Sequence, residues 1–116
     1  MKNIIVAVVL VLALFTIGYT AELSSSGEKT ADAAIRTTGG GQYGGMVVVT
    51  DGTNNCTVKV YDNPSAASGT VLDDGLCVAT ASYTCKYLFP WPVPYDKGIY
   101  VDITTAGTCY YIIYSK

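Results

Sequence analysis

The fold turns on Cys56-Thr-Val-Lys-Val-Tyr61 and the residues after it, Asp62-Asn-Pro-Ser-Ala-Ala-Ser-Gly69. Cys56, Val58 and Val60 alternate with Thr57, Lys59 and Tyr61, the period of two expected of a strand with one buried and one wet face. The following eight residues are turn formers. Asp62 and Asn63 carry short acceptor side chains, Pro64 fixes its own φ, and Gly69 tolerates left-handed backbone. Thr70-Val-Leu72 then resumes as a short strand.

The same grammar extends in both directions. Upstream, Met46-Val-Val-Val-Thr50 reads as a strand closed by the turn cluster Asp51-Gly-Thr-Asn-Asn55. Downstream, Asp73-Asp-Gly75 reads as another turn, and the segments Leu76 to Ser82 and Tyr83 to Phe89 read as strands. Pro90-Trp-Pro-Val-Pro94 has three prolines without a ladder donor, so it belongs at a sheet edge or on a crossing segment. Ile99 to Thr104 and Thr108 to Tyr114 close the pattern, joined by Thr105-Ala-Gly107. Six to eight short strands at this spacing predict an all-β, small antiparallel β-sandwich or jelly-roll-like domain over residues 39–116. Alternation predicts a core of Val47, Val49, Val58, Val60, Leu72, Val78, Leu88, Ile99, Val101, Ile103 and Ile113.

Residues 22–38 are small and polar and read as a tether, with helix propensity from Thr30 to Arg36. Residues 1–21 form a hydrophobic N-terminal segment, a transmembrane or signal helix. After Lys2, the run Ile4 to Ala21 holds 18 residues without a charge. A helix of that length is about 27 Å long, enough to span a bilayer's hydrocarbon core. Small residues at −1 and −3 of a cleavage site are missing around Gly18 to Ala21, and Tyr19 suits an interfacial position, so we read a retained anchor. Cleavage as a signal peptide is the alternative. Either way the domain is expected outside the cytoplasm or in a virion, with the lipid bilayer engaged through Ile4 to Ala21, or else secreted.

Four cysteines fit an oxidising location, where small domains supplement their cores with disulfides. Gaps of 21, 8 and 24 residues match neither zinc ribbons nor redox pairs. Three connectivities are open. Cys56 with Cys109 and Cys77 with Cys85 are favoured, the first because both open a strand, the second because they flank an expected hairpin.

Chemistry has little to work with. Histidine is absent from the 116 residues, which removes His-activated nucleophiles and His-ligated metals. The aspartates at 51, 62, 73, 74, 96 and 102 mostly adjoin turn residues, and turn stabilisation accounts for them better than a catalytic pair or a calcium loop. No catalytic residue, metal site or cofactor is expected, and the protein reads as no enzyme. Seven basic against nine acidic side chains argue against a nucleic-acid partner. The feature that suits binding is aromatic. Tyr87, Trp91, Tyr95 and Tyr100, with Phe89 among them, surround the proline segment and would form a surface for a sugar ring or a protein partner, unless they cap one end of the sandwich.

The stretch Val58 to Leu72, the stretch Leu88-Phe-Pro-Trp-Pro-Val-Pro-Tyr-Asp-Lys-Gly-Ile-Tyr-Val-Asp-Ile-Thr104 and the tyrosine-rich last strand together resemble a small β module of bacteriophage virion structural proteins. The resemblance covers residues 46–114 and implies a structural role with no catalytic residues to carry over. The expected function is therefore a structural or assembly protein, a minor virion component that is membrane-anchored and packs against copies of itself or other coat or surface proteins. A secreted or cell-surface binding module and a pilus-like filament subunit are the alternatives.

Overall fold

The structure, a computed structural model, describes residues 22–79, 83–104 and 108–116. The predicted N-terminal helix lies outside these residues. Among the described residues no helix is long and apolar enough to cross a membrane. They form eight strands: β1 (Ser24–Ser25), β2 (Ala33–Arg36), β3 (Gly41–Thr50), β4 (Cys56–Asp62), β5 (Thr70–Cys77), β6 (Thr84–Tyr95), β7 (Ile99–Ile103) and β8 (Cys109–Ser115).

The strands make two four-stranded antiparallel sheets, ordered β1-β8-β3-β6 and β2-β7-β4-β5. Pairing is nested: β1 lies on β8, β2 on β7, β3 on β6 and β4 on β5. One long antiparallel ribbon is thus wound across both sheets, which is jelly-roll order. Each inward face supplies alternate residues to a shared core. Tyr43, Met46, Val48, Tyr111 and Ile113 come from one sheet, and Val58, Val60, Ile99, Val101 and Ile103 from the other.

Both favoured disulfides are present. Cys56 joins Cys109 with a Cα–Cα distance of 6.0 Å, and Cys77 joins Cys85 at 5.6 Å. Each ties one sheet to the other, because β4 and β5 belong to the second sheet and β8 and β6 to the first. The expected hairpin between Cys77 and Cys85 is therefore replaced by a crossing between layers. Arg36 closes a flank of the sandwich in the same sense: from β2 its Nε donates to Ser115 Oγ at 3.0 Å and its Nη2 to the Ser115 carbonyl at 2.9 Å.

Four expectations need correction. Residues 22–38 are not a tether carrying a helix, since β1 and β2 lie within them and pair with β8 and β7. Pairing overrides the helix propensity there: Ile35 packs on the core, and Asp32 Oδ1 accepts from the Ile103 N–H at 2.9 Å. Asp73-Asp-Gly75 is not a turn but the middle of β5. Gly75 serves close packing, because a Cβ there would lie 2.6 Å from Met46 Cε and 2.9 Å from the Tyr87 ring. Within Met46–Thr50 of β3 the buried residues are Met46, Val48 and Thr50, with Val47 and Val49 on the other face. Leu72 and Val78 are only half-buried, and Leu88 is exposed. The predicted burial of Val58, Val60, Ile99, Val101, Ile103 and Ile113 agrees with the structure.

Candidate functional site

The proline-rich segment lies where missing N–H donors do least harm, in β6 at the edge of its sheet. Its ladder with β3 is interrupted. Tyr43 opposes Val93 and Gly45 opposes Leu88, so Phe89, Pro90, Trp91 and Pro92 together face only Gly44. This is a wide bulge, and it pushes Trp91 outward to 84% exposure.

Two glycines make the bulge compatible with close packing. A Cβ on Gly44 would overlap the Leu23 side chain, and one on Gly45, whose φ is 124°, would overlap the Tyr87 carbonyl oxygen. Leu23, Gly44, Leu88, Phe89 and Tyr114 line a shallow apolar depression of about 280 Å³. Phe89 forms its wall by resting edge-on against Tyr43, with ring centroids 5.9 Å apart.

Of the aromatic residues singled out from sequence, Trp91 is the most exposed, with Phe89 exposed beside it at 37%. Tyr95 is buried and donates to the Lys116 carbonyl at 3.0 Å. Tyr87 packs against the core and donates to the Leu76 carbonyl at 2.6 Å. Tyr100 lies on β7 in the other sheet, opposite Ala34 and Tyr61. The four therefore do not form one surface, and Trp91 does not cap the sandwich. Leu23, Gly44 and Tyr114 belong to the site but were missed. The Gly44-Gly45 doublet beside a proline run was the available signal.

The depression continues onto an apolar sheet face. Outward from β3 and β8 point Val47, Val49, Tyr110, Ile112 and Tyr114, all half-buried. The outward residues of β4 and β7 are Thr57, Lys59, Tyr61, Tyr100 and Asp102, and there Lys59 Nζ lies 3.3 Å from Asp74 Oδ2.

The carboxylates hold structure. Asp51 Oδ1 accepts from the N–H groups of Thr53 and Asn54, both at 2.8 Å, and the Asn54 and Thr53 bonds hold its carboxyl below the usual range. Asp62 accepts from the N–H groups of Asp96, Lys97 and Gly98 at 3.0, 2.8 and 3.3 Å. Partial desolvation works to raise its carboxyl, but those three donors and the Lys97 charge outweigh it and hold the group below its ordinary value. Asp73 is pushed up, chiefly by burial, while accepting from Tyr43 Oη at 2.7 Å. The Tyr43 hydroxyl is raised in turn by burial and then by the Asp73 charge. Among the described residues no three His, Cys, Asp or Glu side chains are grouped to hold a metal.

Comparison with protein families, curated sequences and solved structures returns no match.

Proposed function

We propose that the chain is a structural or assembly protein with no catalysis of its own, held at a bilayer by Ile4 to Ala21 and displaying its sandwich outside the cytoplasm or on a virion. The observation that carries this reading is the outward face of β1-β8-β3-β6. Val47, Val49, Tyr110, Ile112 and Tyr114 gain free energy by being covered, and none of them is a nucleophile, acid or base poised for chemistry. The two inter-sheet disulfides support an oxidising location. Jelly-roll order is one that viral capsid domains use, as lectins and cupins do, and this fold-level analogy favours a minor virion component. Quantitative mass spectrometry of particles from the natural source tests it. The chain should hold a fixed ratio to the major coat protein across a density gradient, and recovery only in the particle-free medium overturns the reading.

Trp91 favours a second reading, a carbohydrate-binding module, because an indole standing on a bulge suits stacking on a sugar ring. Retention on a glycan array that Trp91→Ala abolishes would establish it. Binding that the substitution leaves intact would end it.

A further inference from the structure

The strands at residues 24–25 and 33–36 leave almost no chain between the sandwich and the apolar segment. Only Glu22 and Leu23 separate Ala21 from β1, and two residues span at most about 7 Å. Leu23, moreover, is already seated in the depression against Gly44. With Ile4 to Ala21 in a bilayer, the sandwich cannot stand off from it, and the part held nearest is the depression and the bulge beside it.

We infer that this part lies in the lipid headgroup interface, with Trp91 on the bulge as the inserted side chain and Leu88, Phe89 and Tyr114 in the depression next to the bulge; the inference rests on the anchored reading above. The chemistry fits an interface rather than water or a second protein edge. Trp and Tyr combine an apolar ring with one polar atom and gather at membrane–water boundaries. Pro90 and Pro92 carry no N–H, so the bulge brings fewer donors needing water into a region of low polarity. The same prolines weaken β6 as a template for pairing with another copy's strand, since that ladder needs donors. Lys86, exposed two residues from Leu88 on the same face of β6, is placed to reach lipid phosphates. Glu22, exposed, remains at headgroup level.

Trp91 is the only tryptophan of the chain, so its fluorescence reports this one position. The full-length protein is placed in phosphatidylcholine vesicles, with and without brominated acyl chains. The expected result is a blue-shifted emission that brominated lipid quenches and aqueous acrylamide does not, reverting toward the water-exposed spectrum in Leu88→Glu. Emission characteristic of water with full acrylamide access overturns the inference. So does a blue shift that bromine fails to quench and that fades on dilution, which would report a second copy. Intact mass of the chain from its natural membrane separates the two levels. A mass matching all 116 residues leaves the anchored reading standing whatever Trp91 does, while a mass lacking the leading segment removes that reading itself.

Discussion

The two sheets are alike on their inward faces and opposite on their outward ones. In β4 and β7, Val58, Val60, Ile99 and Val101 face the core while Lys59, Tyr61, Tyr100 and Asp102 face out, the clean alternation of a sheet with one wet side. In β3 and β8 apolar residues occur on both sides, Met46 and Val48 against Val47 and Val49, and Tyr111 and Ile113 against Tyr110 and Ile112. A strand apolar on both sides is one expected to be covered on both sides. The difference sets the mixed polar outer face of β4 and β7 against an outer face on β3 and β8 that is apolar like the inner one.

The largest loss is expected from cutting what joins the two sheets. Replacing Cys56 and Cys109 by Ala opens a link between residues 53 apart and should cost about 4 kcal/mol in urea unfolding, against about 2.5 for Cys77 and Cys85, 8 apart. Equal losses would show that loop entropy does not set their worth. A neighbouring pair in β8 sharpens the contrast between faces. Ile113→Ala should lose about 3 kcal/mol wherever it is measured, because that side chain is fully buried. Ile112→Ala should lose about 1 kcal/mol or less in detergent-free solution. A loss for Ile112→Ala approaching that of Ile113→Ala in the native assembly, read by hydrogen exchange, would show the outward face covered there.

The bulge offers a smaller effect confined to one sheet. Gly45→Ala should destabilise by about 2 kcal/mol, since positive φ and a backbone overlap coincide. Gly69→Ala, whose φ is 91° but whose nearest atom is the Asp62 carbonyl oxygen at 3.7 Å, should cost about 1 kcal/mol. The smallest change concerns pH. Asp62 has a lowered folded pKa, so its contribution is complete above its unfolded value and is lost as pH falls through the lowered one. Asp73 runs the other way, its contribution being full below the unfolded value and lost as pH rises through the raised one. Asp62→Asn should therefore flatten the acid limb of a plot of urea midpoint against pH, and Asp73→Asn should flatten the limb just above it.

The same asymmetry decided what could be read from sequence. Cys56 to Asp62 and Ile99 to Ile103 alternate without interruption, and their faces followed from the sequence; the disulfide pairing was one of three left open, and the hairpin that favoured Cys77 with Cys85 is a crossing between sheets instead. Met46 to Val49 is apolar throughout, so its frame is not encoded locally; Gly44 and the register shift at Tyr43/Gly45 set it through pairing with β6 and β8. Asp73-Asp-Gly75 looked like a turn because turn residues and close-approach residues are the same types. The candidate site was half legible: Trp91 stood out by composition, but the depression next to its bulge is lined by Leu23 and Tyr114, which come from opposite ends of the described chain and meet only through pairing.

The nesting of the strands also orders events in time. β1 has one ladder partner, β8, and β8 sits between β1 and β3. The first of these strands to be made must wait for the last, and until β8 arrives the Cys56 thiol has no Cys109 to join and β1 and β3 have nothing between them. Folding of this domain thus waits on its last strand and is dominated by distant contacts, slow for its size. An oxidant that acts before β8 has docked would find Cys56, Cys77 and Cys85 in the chain without the partner that makes the pairing correct.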